Sequence, residues 1–212
     1  MSVKTIPNGQ PFFTIRYIEN EKDYRIEPFS ILINMALESK APIMVDGIPQ
    51  APLHGVIVGN ITIPEIEKAI LIEDYAKYTN EPDFFEKVRE TWPRMYTIRP
   101  EERFRDAQMY VAQGDAHITP NIELGVCCVM GANYSTGLHN THPRNIDEYH
   151  VQIAGIGRMQ KFYENDVNTM FQDMYMAPGI VHDTLFDADG KYPWHQYKTV
   201  TDVVFMGIKI DR

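Results

Sequence analysis

From about Tyr96 onward the chain reads as one short strand after another, and this cadence limits its fold more than any other feature. The segments MYVAQG, IELGVCCVM, EYHVQIAG, GRMQKFY, DMYMAPG and TDVVFMGIKI are rich in β-branched, aromatic and methionine residues, and Asn, Asp and Gly fill the gaps between them. Frequent short strands with such turns predict an antiparallel sandwich or barrel. The fold class expected is therefore mainly β.

The first half, to about Pro100, has a different texture and holds most of the helix signals. Ser30 to Glu38 (SILINMALE) is apolar and made of good helix formers. Thr62 and Pro64 open a second expected helix, with Glu65 and Glu67 in its first turn and Ile66, Ala69, Ile70 and Tyr75 as its stripe. A third begins near Pro82, buries Phe84, Phe85, Val88 and Trp92, and stops at Pro93. A turn is expected at Val45-Asp46-Gly47, and HGVIVGNITI reads as strand. Residues 1–100 are thus read as a mixed, α-containing N-terminal extension, a lid or a dimer interface, and residues 101–212 as the β-barrel.

A chain of 212 residues with 44% hydrophobic and 23% charged residues can bury a sizeable core. Its net charge of −9 disfavours a nucleic-acid partner, because an acidic surface repels phosphate. The two cysteines, Cys127 and Cys128, are adjacent, so neighbours on a strand point to opposite faces and no disulfide framework forms. That usage fits a reducing compartment, and a cytoplasmic location is expected. The opening MSVKTIPNGQPFF has no apolar signal core, and no apolar run approaches the roughly 20 residues of a membrane span.

Five of the seven histidines fall between His139 and His195. His142, Glu148 and His182 supply two imidazoles and a carboxylate, a set that suits Fe(II) and also accepts Zn(II), Mn(II) or Ni(II). Three protein ligands on one side of an ion leave positions open for water, substrate or dioxygen. The segment resembles the cupin superfamily. Closely spaced histidines precede Glu148, six residues separate Glu148 from Gly155, and Pro178-Gly179-Ile180-Val181-His182 matches the Pro/Gly turn and histidine of the second cupin motif. The resemblance covers roughly Leu124 to Val204 and implies a cupin-like (jelly-roll) barrel in the C-terminal half. The chain departs from the usual His-x-His pair, having His139-x-x-His142, and five residues separate His142 from Glu148. That gap is similar to the homogentisate dioxygenase branch, which uses a two-histidine, one-glutamate iron site. The resemblance therefore implies one divalent metal held by His142, Glu148 and His182. It leaves His139 as a fourth ligand or a neighbour of the ion, with the exchange of His139 for His142 open.

His150 and Gln152 share a strand face with Glu148, so all three point inward if one does. His150 is then a candidate acid/base group, as is His139, and Gln152 a candidate hydrogen-bond partner for substrate. Arg158 is a candidate clamp for a substrate carboxylate or a plain exposed arginine. Trp194 and His195, in the run Tyr192-Pro193-Trp194-His195-Gln196-Tyr197, are read as an aromatic loop over a pocket mouth or as a surface hairpin. Structural roles are expected for His54 and His117, and for Cys127.

Three functions follow from the resemblance. The first is a non-haem Fe(II) dioxygenase acting on a small polar organic substrate. The second is a redox-neutral isomerase or lyase acting on a small hydroxy acid or sugar through Zn(II), Mn(II) or Ni(II). The third is a non-catalytic cupin that binds a small ligand. Cupin-like barrels also pair through sheet edges or N-terminal segments, so a homodimer is expected.

Overall fold

A computed structural model of the chain describes residues 2–76, 80–112, 114, 116–141, 146–186 and 189–212. Among them lie fifteen strands. Those of the first half are β1 (Ser2–Ile6), β2 (Thr14–Ile26), β3 (Ser30–Asn34), β4 (Ile43–Val45), β5 (Ile48–Gln50), β6 (Gly55–Val58) and β7 (Ile61–Glu73). Two short helices follow, α1 (Phe84–Thr91) and α2 (Met95–Ile98). The second half carries β8 (Met109–Val111), β9 (Ala116–Thr119), β10 (Ile122–Met130), β11 (Ile146–Ala154), β12 (Gly157–Phe162), β13 (Met170–Met176), β14 (Trp194–Thr199) and β15 (Val203–Asp211). The protein is mainly β, and the strands of its second half fall into two main sheets. No helix among the described residues is long and apolar enough to cross a membrane.

Two of the three helices expected in the first half are strands. Ser30 to Asn34 forms β3, every residue of which is buried. It sits between β7 and β6, with Ile31 and Ile33 in one core layer and Leu32 in the other. A strand buried on both faces loses its polar alternation, which leaves a bare apolar run open to a helical reading. Residues 61–73 form β7, paired with β2 along its whole length. Pro64 is tolerated because β3 reaches only Ala69 to Ile72, so the missing N–H lies where β2 alone flanks the strand. The third expected helix is α1. It presents Phe84 and Val88 to the core and ends before Pro93, with Trp92 buried beside it. The expected turn is also present: Asp46 and Gly47 both have positive φ, 47° and 78°, and join β4 to β5.

The first half thus has a five-stranded sheet, β1-β2-β7-β3-β6, as its body. In the second half one sheet runs β11-β15-β10-β8, with β9 also on β10, and a smaller one runs β13-β12-β14. Two non-strand segments extend them. Residues 135 to 139 bridge to the free edge of β14, through Ser135–Lys198 and His139–His195, and Val181 bridges to Val151 on the free edge of β11. The sheets face each other across an interior lined by Met109, Met159, Met176, Tyr197 and Phe205. The outer face of β10, β11 and β15 packs on the N-terminal sheet, and residues from both halves form one apolar cluster. The adjacent cysteines divide as a strand requires, Cys127 into that shared cluster and Cys128 into the barrel interior.

Candidate metal and substrate site

The barrel interior holds a cavity of about 420 Å³, a size that suits a small organic molecule. Its main wall is the inner face of β10, β15 and β11, and strand register arranges that wall in rows. In the first row His117 on β9, Glu123, Lys209 and Glu148 stand opposite one another across four strands. Lys209 Nζ donates to Glu123 Oε1 at 2.7 Å, and His117 Nε2 lies 3.4 Å from the other Glu123 oxygen. The second row is His150 and Gly207, with Gly125 beside Gly207 at a β-bulge between Leu124 and Cys127. The third row is Gln152, Phe205 and Cys128.

Opposite this wall stand Met159 of β12 and His195 and Tyr197 of β14. Thr136 and His139 enter from the segment that bridges to β14. Met95 of α2, with Arg99, Glu101 and Phe104 just beyond it, closes one side. The lining is therefore mixed, with Met95, Phe104, Met109, Met159 and Phe205 as its large apolar members among the titratable groups. A larger concavity of about 640 Å³ lies over the N-terminal sheet, but its lining contains no histidine or cysteine.

Three histidines share one device. The Nδ1 atoms of His139, His182 and His195 lie 3.0, 2.6 and 3.1 Å from the carbonyl oxygens of Gly137, Asp183 and Pro193. A carbonyl only accepts, so each Nδ1 carries a hydrogen, and in a neutral ring the lone pair is then on Nε2. His139 and His195 exchange backbone hydrogen bonds of 3.1 and 2.9 Å, and their ring centroids are 4.2 Å apart. Burial pulls the His182 imidazole down to about 3, with the neighbouring His150 adding to the effect. His182 is therefore neutral at ordinary pH. Its Nε2 is buried and has no hydrogen-bond partner among the described residues. The His182 ring lies 5.2 Å from that of His150, whose Nε2 is 3.8 Å from Glu148 Oε2.

Of the residues singled out from the sequence, His139, Glu148, His150 and His195 line the cavity, and His182 abuts His150. His142 lies outside the described residues. Among the described residues, no group of three or more His, Cys, Asp or Glu side chains is placed to hold a metal ion. Gln152 shares the face of Glu148 and His150, but its amide is engaged by the fold. It accepts from Tyr197 Oη at 2.5 Å and donates to the carbonyls of Ala154 and Gly155. Arg158 is also engaged, paired with Asp173 and stacked on Tyr175. Trp194 opens β14 opposite Phe162, so the expected aromatic loop is a strand that carries His195 into the interior. None of Gln152, Arg158 and Trp194 is in the cavity lining.

Glu123, Lys209 and Arg99 were not anticipated from the sequence. The usable signal for the first two was a charged residue on the buried phase of an otherwise apolar strand, IELGVCC and GIKI. His117, expected to be structural, stands at the outer end of their row.

No protein-family model and no curated protein matches the chain. Solved structures similar to it include a Cupin 2 conserved barrel domain protein from Leptotrichia buccalis. That match has 12% identity, covers 100% of this chain and 88% of the other, and has a TM-score of 0.38. An RmlC-like cupin protein from Desulfovibrio desulfuricans matches at 16% identity over 47% of this chain and 81% of its own, with a TM-score of 0.33. KdgF from Halomonas sp. matches at 12% identity over 50% and 81%, with a TM-score of 0.35. Likeness this distant transfers no activity. Several of these structures are described as cupin proteins.

Proposed function

We propose that the chain is a metal-dependent enzyme, a non-haem Fe(II) dioxygenase acting on a small polar organic substrate held in the barrel cavity. His142, Glu148 and His182 would hold the ion, with His139 beside them. The observation that carries the reading is His182. Its tautomer is set by the Asp183 carbonyl, it is neutral, and its Nε2, without a partner among the described residues, is buried next to His150 and Glu148. A buried acceptor left without a partner is costly, and a bound cation removes that cost. When bound, Fe(II) in such a site supplies redox chemistry that no side chain offers.

The chain's own residues do the rest. His150 sits at Glu148 and is placed to hold or move a proton at Nε2. His139 and His195 line the opposite side of the cavity. Phe104, Met109, Met159 and Phe205 exclude water where they line the cavity.

The test is elemental analysis of purified protein, followed by oxygen uptake with iron bound across a panel of small organic acids. One ion per chain is expected, lost in His182→Ala and Glu148→Gln, with substrate-dependent oxygen uptake. Protein that binds no divalent metal at that stoichiometry overturns the reading. A redox-neutral isomerase or lyase is the second reading, favoured by the charged row Glu123–Lys209–Glu148, which offers acid and base groups on one wall. Tightly held zinc, manganese or nickel with no oxygen demand supports it instead.

A further inference from the structure

Two glycines lie side by side in the middle of the cavity wall, and neither is there for its backbone. Gly125 and Gly207 occupy adjacent strands, and neither has a positive φ. A Cβ built on Gly207 meets nothing closer than 3.8 Å, and one built on Gly125 nothing closer than 3.4 Å. Both backbones therefore accept alanine in ordinary van der Waals contact. Glycine within a strand lowers stability relative to alanine and often marks a close approach by something else. The bulge that contains Gly125 is itself built. The side-chain amide of the fully buried Asn8 donates to the carbonyls of Leu124 and Gly125, both at 3.0 Å. Bulges of this kind cluster beside active sites, where they re-aim side chains.

The rows on either side say how the bare strip is used. Glu148, Lys209 and Glu123 run along one edge, Phe205 and Cys128 along the other, and His150 stands at the end next to Gly207. We propose that Gly125 and Gly207 are the floor on which the bound molecule lies, and that their missing side chains set its size limit. The occupant is a small amphipathic organic molecule. Its polar edge faces the Glu148–Lys209–Glu123 row, its apolar edge faces Phe205, and one end abuts His150. This inference rests on the reading of the cavity as the substrate site.

The test uses the full chain with labelled methionine methyl groups, since Met95, Met109 and Met159 line the cavity and the other methionines serve as references. Benzoate and acetate are titrated separately into the wild type, Gly125→Ala, Gly207→Ala and Gly131→Ala. Gly131 has equal room for a Cβ, 3.9 Å to its nearest neighbours, but lies outside the cavity lining. If the alanine variant at one position fails to fold, the variant at the other position is read alone. Expected is benzoate binding weakened about tenfold or more by either cavity variant, as one methylene group in a confined site typically does. Acetate binding and the Gly131→Ala control should stay within about twofold, and the unfolding midpoints should equal or exceed that of the wild type. Equal benzoate affinity in all four proteins overturns the floor while the cavity reading stands. If neither probe moves the Met109 and Met159 signals of the wild type, the cavity reading fails and the floor with it.

Discussion

Tyr17 is 3% exposed, and its hydroxyl has no hydrogen-bond partner among the described residues. Burial pushes its phenol up to about 12, from an ordinary value of 10.0, with nearby glutamates adding to the effect. The folded protein therefore keeps a proton that the unfolded chain releases between those two values. The Tyr17 contribution to stability is intact below pH 10 and is lost as pH rises towards 12. Tyr17→Phe removes both the stranded hydroxyl and this titration. It should raise stability at pH 7 by up to about 1 kcal/mol, since an unpaired buried donor is a net cost. It should also flatten part of the alkaline fall measured by urea unfolding between pH 9 and 11.5. Tyr24, Tyr75 and Tyr149 are raised by burial too, so some slope will remain. A variant less stable than wild type at pH 7 would show that the hydroxyl has a partner. At this scale the sequence was informative where one strand's period decides the outcome. Glu148, His150 and Gln152 do share a face, and Cys127 and Cys128 do part. It was silent on Glu123 and Lys209, because their meeting depends on the register of strands 86 residues apart.

Elements show the same division. Six strands of the second half were legible because turn residues bound each one. In β7 the fully buried Ile63, Ile66 and Ala69 recur at every third residue, a spacing that imitates a helix. What no local pattern shows is how elements brace each other. A Cβ on Gly55 of β6 would lie 2.1 Å from the carbonyl oxygen of Gly179, in the turn that leads to His182. Both sides of that contact are backbone, so strand and turn must separate, and Gly55→Ala should cost about 1–3 kcal/mol. It should also shift the His182 ring signals in NMR. Gly59→Ala meets only the ring of Phe29, which is 64% exposed and free to swing, so it should cost less than about 1 kcal/mol. Equal losses at the two sites would mean that the Gly55–Gly179 contact braces nothing. Asn8 gives a matching test at the bulge. Asn8→Ala strands two buried carbonyls and should destabilise by about 1–3 kcal/mol. Asn8→Asp should be worse, because a carboxylate then faces the carbonyls of Leu124 and Gly125.

At the scale of the whole molecule, the two halves divide one core between them. Phe12 and Phe13 pack edge-to-face on Phe84, Phe12 does the same with Trp92, and the Trp92 indole donates to the Gln10 carbonyl at 2.9 Å. The same cluster continues into Leu124, Val129, Val151, Ile153, Val204, Met206 and Ile208 on the outer face of the barrel sheet. Each of those seven is less than 1% exposed in the full chain and would meet water if residues 1–100 were removed. Burial of one large aliphatic side chain is worth roughly 1.5–3 kcal/mol. Seven such losses rival the roughly 5–15 kcal/mol that holds a domain folded. Residues 101–212 alone should therefore lack a cooperative thermal transition and bind a hydrophobic dye, although they contain the candidate ligands. The full chain should unfold in one calorimetric transition, with van't Hoff and calorimetric enthalpies in agreement. Two resolved transitions, or a fragment 101–212 with sharp tertiary signals, would mean that the N-terminal sheet is a separate body resting on a self-sufficient barrel. A single transition makes that sheet part of the site's foundation, since Asn8 holds the bulge at Gly125 and Gly55 abuts the turn before His182.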